Sequence, residues 1–312
     1  MPHLPKRVLG RTGLQVTMLG YGAMELRGAP RGRDVSDKQA ETILNAVLDA
    51  GINYIDTSID YGVSEERIGR YIGDRRSEYY LASKCGCQVG APAAPRGERS
   101  PHVFTRDNIM RGVEQSLARM RTDHLDVVQF HISPSRKELE AHGALDALLE
   151  LKRTGTVRFA GMSGTLPNLP DQIAMGVFDV FQIPYSAVQR DHEELITEAA
   201  GAGAGTFIRG GAARGAAAED KNWRTGPISQ GPGVGQRNWE TSGIAGLLRE
   251  AGMSNMEFVL RFTLSHPGLS TTIVGTANPA HLAGNIAVAE KGPLPADLYE
   301  EAKKRLPLPE AG

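Results

Sequence analysis

The feature that most limits how this chain can fold is a regular alternation. Short apolar runs rich in β-branched and aromatic residues fall at 16–23, 53–58, 79–84, 125–131, 157–163, 178–184, 206–211 and 270–275. Nearly every neighbouring pair of runs is separated by a segment of helical periodicity, and one more such segment, 278–290, follows the last run. In 36–51, Ala40, Ile43, Leu44, Val47 and Leu48 share one helical face, Ser36 and Gln39 stand at capping-box spacing, and Gly51 occupies the place of a C′ glycine. In 105–120 the shared face is Ile109, Val113, Leu117 and Met120. The spacing also predicts single helices over 136–155 and 191–203, the latter with Asp191 and Glu194 at capping distance. Eight strand–helix units call for a parallel sheet covered by helices, and about 250 residues is the size of a closed (β/α)8 TIM barrel. An open doubly wound sheet announces itself by a G-x-G-x-x-G turn after its first strand. None stands there; "GAGAG" at 201–205 reads as a helix exit, and no G-K-[ST] occurs. The opening "RVLGRTGLQVT" reads as a hairpin closing the barrel bottom. We therefore expect one barrel domain over 1–312, with long connections at 85–104 and 212–239 on the strand-exit face.

Composition narrows the partners. With a net charge of −1 there is no electrostatic footprint for nucleic acid or an anionic membrane surface. The longest apolar runs fall short of the ~20 residues a membrane span needs. "MPHLPKRVLG" has no apolar core of a secretory signal, so a cytoplasmic setting is expected. Cys85 and Cys87 flank a single glycine, too close for an unstrained bridge, and read as reduced. Two cysteines are too few for a metal site, and none of the eight histidines forms an H-x-H or H-x-x-x-H pair, so no metal is expected.

The strand ends carry the chemistry. The second strand ends at Asp56, with Tyr61 five residues on; the third ends at Lys84 and the fourth at His131. In a parallel barrel these ends share one mouth. Singly, each residue suits a structural role. Jointly, an acid, a phenol, an amine and an imidazole facing one cavity make a proton-transfer site. A free phenol has a pKa of ~10. An ammonium nearby lowers it, and a lysine at a barrel mouth needs a counterion such as Asp56.

These motifs resemble the aldo-keto reductase superfamily. "LGRTGLQVTMLGYGAM", "GINYIDTSIDYG", "LASKCG", "LDVVQFH", "VRFAGMSG" and "TTIVGTANPAHLAGN" follow that family's pattern in order over nearly the whole chain. The resemblance implies the same barrel, a small-molecule carbonyl substrate, and hydride transfer from NADPH, with NADH an open alternative. It assigns proton donation to Tyr61, tuning to Lys84 and Asp56, and carbonyl orientation to His131. By the same pattern Ser163 and Gln182 hold the nicotinamide carboxamide. Gly22, Ala23, Met24 and Asp56 also belong to the cofactor set. Gly210, Gly211 and Ala212 bring backbone to the pyrophosphate, and Gly275, Thr276, Asn278, His281 and Asn285 meet the adenosine end. Two departures stand out. Arg209 occupies a position where many members stack an aromatic ring on the nicotinamide, and Gly164 replaces a common Asn. Met24, Cys87, Trp223 and Trp239 are the candidate substrate contacts. Two other readings stay open: a barrel lyase or aldolase using Lys84 as a Schiff base, and a non-catalytic nicotinamide-nucleotide-binding regulator. The oligomeric state is not legible.

Overall fold

The computed structural model describes residues 3–30, 32–91, 98, 100–213 and 239–306. Eight parallel strands close into a barrel: β3 (Leu19–Gly22), β4 (Tyr54–Asp56), β5 (Tyr80–Cys85), β6 (Leu125–Phe130), β7 (Val157–Ser163), β8 (Val180–Pro184), β9 (Gly205–Arg209) and β10 (Thr271–Val274). The strands follow one another round the barrel in chain order, and β10 closes it by pairing with both β9 and β3. The barrel is thus the one expected from the alternation.

A two-stranded antiparallel hairpin, β1 (Lys6–Val8) and β2 (Gln15–Thr17), precedes it. The run at 16–23 is therefore divided, with Val16 and Thr17 in the hairpin and the barrel strand beginning at Leu19. Leu9, Leu14 and Val16 form a buried cluster with Tyr54, Ala82, Val127, Val180 and Phe207. Side chains two apart on a strand share a face, so each of those barrel residues stands one step below Asp56, Lys84, Gln129, Gln182 and Arg209 respectively. The hairpin seals the dry lower layer, and the polar layer above it opens to the mouth. The seal is close: a Cβ on Gly10, which has φ +49°, would stand 2.2 Å from the Gly205 nitrogen.

Local chemistry explains several helix boundaries. Helix α1 (Asp37–Asp49) is capped by Ser36, whose hydroxyl accepts from the Gln39 backbone at 3.1 Å, and it stops before Gly51 at φ +78°. The Gln39 side chain does not complete a capping box; it donates to the Ala277 carbonyl at 2.7 Å. The segment expected as one helix over 136–155 is two, Arg136–Ala141 and Ala144–Arg153. Gly143 between them has φ +68°, a left-handed conformation that interrupts the helix. The helix expected to start on an Asp191 cap begins at Glu193, with no side-chain cap. There Glu193 accepts from Arg190 at 2.6 Å instead. Helices Ile244–Glu250 and Ala296–Arg305 lie outside the elements expected from periodicity. The second is mostly polar and buries only Tyr299 and Ala302, with Leu298 partly buried beside them, too few for a clear periodic stripe. Among the described residues no helix is long and apolar enough to cross a membrane.

Candidate active site

Asp56 is the last residue of β4 and Lys84 the penultimate residue of β5, both aimed inward and about 2% exposed. Lys84 Nζ donates to Asp56 Oδ2 and to the Thr57 carbonyl, each at 2.7 Å. The other carboxylate oxygen accepts from Gln129 Nε2 at 2.9 Å. Gln129 is not among the site residues expected from sequence. Its signal is present there, since it is the one amide in the apolar strand "LDVVQF" and sits two residues before His131.

The turn after β4 answers why an acid and a phenol follow a buried strand. Gly62 has φ +49°, and a Cβ there would stand 2.1 Å from the Arg27 carbonyl oxygen. The Tyr61 nitrogen donates to the Ser58 carbonyl at 3.0 Å, and Ser64 ties the turn to the Ala23 carbonyl at 2.9 Å. This places the Tyr61 ring 4.9 Å from Lys84 Nζ, with the His131 ring edge-on at a centroid separation of 6.3 Å. The four residues, drawn from three strand ends, meet in one mouth.

His131 is held by an unusual backbone. Its nitrogen donates to the Cys85 carbonyl at 3.1 Å, continuing the strand ladder one step. The next two residues, Ile132 and Ser133, have φ +64° and +57°. A left-handed β-branched residue costs about 1–3 kcal/mol. The connection after β7 holds it in place. Ser133 Oγ donates to the Thr165 carbonyl at 3.0 Å and accepts from the Thr165 nitrogen at 2.9 Å, while Asn168 Nδ2 donates to the Ser133 carbonyl at 2.8 Å.

Charge states follow from these surroundings. Burial opposes the Lys84 ammonium, but Asp56 beside it, with Tyr61 and Asp60, more than compensates and raises its pKa. Burial raises the Tyr61 pKa. Lys84 and Arg209 pull it down, as the sequence led us to expect of a nearby cation, but burial outweighs them and the phenol keeps its proton at neutral pH. Burial drives the His131 pKa down to about 3; Asp60 resists, while Lys84, His102 and Arg209 add to the fall. The site therefore holds an ammonium, a protonated phenol and a neutral imidazole. An ion-paired ammonium has no lone pair, which disfavours Lys84 as a Schiff-base nucleophile.

The other half of the mouth has the features of a cradle. Ser163 Oγ donates to Gln182 Oε1 at 3.0 Å, and Gln182 Nε2 is buried with no partner. Whichever way that amide is turned, one of its polar ends stays unpaired, and a ligand amide would satisfy it. A Cβ on Gly164 would stand 2.6 Å from Leu169 Cδ1 and 3.0 Å from Gln172 Oε1, so the Asn common at this position would require those buried side chains to shift. Arg209 ends β9, half-buried, close enough for its charge to act on Tyr61 and His131. Gly210 has φ +77° and open space around its Cα. Gly211 has a packing reason of its own, since a Cβ would stand 2.2 Å from Thr272 Oγ1. Ala212 is buried.

At the far end, Gly22 and Gly275 close on each other; a Cβ on Gly275 would stand 2.5 Å from the Gly22 carbonyl oxygen. Ala23 is buried and Met24 half-buried in the short turn Ala23–Leu26. Tyr21 Oη donates to the Thr276 carbonyl at 2.8 Å. Asn278 is the N-cap of the helix Pro279–Glu290, accepting from the Ala280 nitrogen at 2.9 Å, and its own nitrogen donates to Thr276 Oγ1 at 3.0 Å. His281 is exposed and Asn285 half-buried on that helix.

The candidate substrate contacts separate. Cys87 is buried but touches His131, with Sγ 3.2 Å from Nδ1. Trp239 packs on Phe258 in the core at a ring separation of 5.8 Å, which gives it a structural place. Trp223 lies outside the described residues. His102, which contacts both Cys87 and His131, has no sequence signal.

A (β/α)8 barrel whose mouth joins a buried Asp–Lys pair, a tyrosine and a histidine is arranged for proton transfer at the barrel mouth. The sequence profile of the aldo/keto reductase family matches residues 18–306, and the chain belongs to that family. It is 25% identical over 300 residues to L-galactose dehydrogenase of Arabidopsis thaliana, covering 92% of this chain and 88% of that one. It is 26% identical over 323 residues to D-threo-aldose 1-dehydrogenase of a Pseudomonas species, covering 94% and 95%. Among solved structures, the holo form of an aldo-keto reductase of Bacillus halodurans superposes with a TM-score of 0.81 at 25% identity, covering 99% of both chains. The protein is an oxidoreductase enzyme.

Proposed function

We propose that this protein reduces an aldehyde or ketone to an alcohol with a nicotinamide cofactor, NADPH in the first instance. The observation that carries the reading is the Asp56–Lys84 pair set beneath Tyr61, with His131 across the same mouth. The unpaired Gln182 amide beside Ser163 supports a carboxamide-bearing ligand at the neighbouring strand ends. Gly22, Ala23, Met24, Gly210, Gly211, Ala212, Gly275, Thr276, Asn278, His281 and Asn285 extend that ligand's path. When bound, a reduced nicotinamide supplies a hydride to the carbonyl carbon.

The chain's own residues handle the oxygen. Neutral His131 donates a hydrogen bond that orients the carbonyl. Tyr61, kept protonated by burial, gives its proton to the oxygen as negative charge develops, and regains one from water. Lys84 stabilises the phenolate that forms, and Asp56 keeps Lys84 charged and in place. Arg209 puts a positive charge near the ring site, which favours the neutral reduced cofactor over its cationic oxidised form.

The test is oxidation of NADPH and NADH by the purified protein across a panel of aldehydes and ketones. Sugars belong in the panel, because two relatives are named for sugar substrates. Turnover with either cofactor that disappears in Tyr61→Phe supports the reading. Nucleotide binding without turnover on any carbonyl would point to a regulatory binder.

A further inference from the structure

The connection after β5 brings a second constellation to the same mouth. Cys87 and His102 pair across an antiparallel bridge, and Asn108 Nδ2 donates to the carbonyls of Cys87 and Val103 at 3.1 and 2.9 Å. Cys87 Sγ, His102 Nε2 and His131 Nδ1 form a triangle with sides of 3.5, 3.2 and 3.4 Å. Hydrogen bonds close this triangle poorly. An imidazole nitrogen is a donor or an acceptor, never both. One lone pair and one proton would each have to serve two partners.

A cation at the centre satisfies all three atoms at once. With zinc–sulfur and zinc–nitrogen bonds of about 2.3 and 2.0–2.1 Å, tetrahedral geometry separates neighbouring ligand atoms by about 3.4–3.6 Å. The observed sides depart from that by no more than about 0.4 Å. We infer that Cys87, His102 and His131 form a binding site for a divalent zinc-class ion, with one coordination position open to the mouth.

The donor set excludes the hard cations, which take oxygen ligands, and fits zinc. Asp60 adds favourable charge: its Oδ1 lies 3.8 Å from His131 Nδ1 and accepts from Ser58 Oγ at 2.6 Å. On binding, the Cys87 thiol loses its proton to solvent and the thiolate ligates. Because the ion takes Nδ1, the proton of neutral His131 is confined to Nε2, which becomes a fixed donor. The site is invisible in sequence because its ligands come from residues 87, 102 and 131, with no short spacing among them.

The experiment uses the full chain, reduced and freed of metal, with no nucleotide or substrate. Titration with Co2+ is expected to give one ion per chain, tetrahedral ligand-field bands and a thiolate charge-transfer band, all displaced by Zn2+. Cys87→Ser should abolish the charge-transfer band, and His102→Gln should weaken Zn2+ binding more than about 100-fold, beyond what loss of an outer-shell partner does. X-ray absorption of the Zn2+-loaded wild type should show one sulfur and two imidazole ligands, which covers variants that fail to fold. Absence of the thiolate band in the wild type, or binding indifferent to both substitutions, overturns the inference. Carbonyl turnover is not read, so failure of the proposed function and failure of this site remain distinguishable.

Discussion

Replacing Asp56 by asparagine isolates the charge of the buried pair. The substitution keeps shape and hydrogen bonds. The introduced carboxamide can present its oxygen to Lys84 and its nitrogen to Gln129, whose Oε1 has no partner and can be turned to accept. What is lost is one negative charge 2.7 Å from Lys84 Nζ, about 6 kcal/mol of attraction at an effective dielectric of ~20. Breaking a buried pair from one side destabilises by about 3–5 kcal/mol. At this chain length that is a fall in Tm of about 5–8 °C.

The pH dependence is the stricter part. In the wild type the Lys84 pKa is raised, so its contribution is fully present at neutral pH and lost only as pH rises through that value. In the Asp56→Asn variant the dominant remaining influence is burial, which lowers the pKa below that of the unfolded chain, ~10.4. A depressed lysine binds fewer protons folded than unfolded. The variant's stability therefore climbs with pH between the depressed value and ~10.4. Urea unfolding of both proteins from about pH 6 to about pH 10 should show a gap that narrows as pH rises. A gap that stays constant, or an unfolding free energy equal to wild type at neutral pH, refutes the account of Lys84 as a cation held by Asp56.

Four further outcomes are expected. Tyr61→Phe should lower kcat for carbonyl reduction by about 10²–10⁴-fold while nucleotide affinity, measured by fluorescence titration, is unchanged. With the His131 pKa pushed down to about 3, the pH profile of kcat/KM should show no histidine inflection between about pH 5 and 8; one near ~6.5 would mean that His131 titrates normally. Gly164→Asn should destabilise by about 1–3 kcal/mol through overpacking against Leu169, and Leu169→Ala in the same chain should recover part of it. Arg209→Phe should raise affinity for the oxidised nicotinamide relative to the reduced form; equal ratios in both proteins would remove the charge argument.

The barrel and the proton-transfer site are legible in the chain because both rest on local pattern. Strand–helix alternation dictates a covered parallel sheet, and residues at strand exits then share a mouth whatever their separation, which is how Asp56, Tyr61, Lys84 and His131 can be grouped. Elements without such a pattern escape. The break at Gly143 depends on one left-handed residue, and the helix Ala296–Arg305 buries too few side chains to leave a stripe.

What the linear order determined, then, was which side chains face inward at which strand end. Tertiary structure alone decided three things. Burial outweighs Lys84 in setting the Tyr61 proton, because desolvation depends on everything packed around the ring. A side chain at position 164 is opposed by Leu169, which packs against it from the helix after the turn. Cys87, His102 and His131 converge on one point only because Cys87 and His102 pair across a bridge beside the end of the neighbouring strand, and the meeting of three distant residues is a property of closed geometry rather than of spacing.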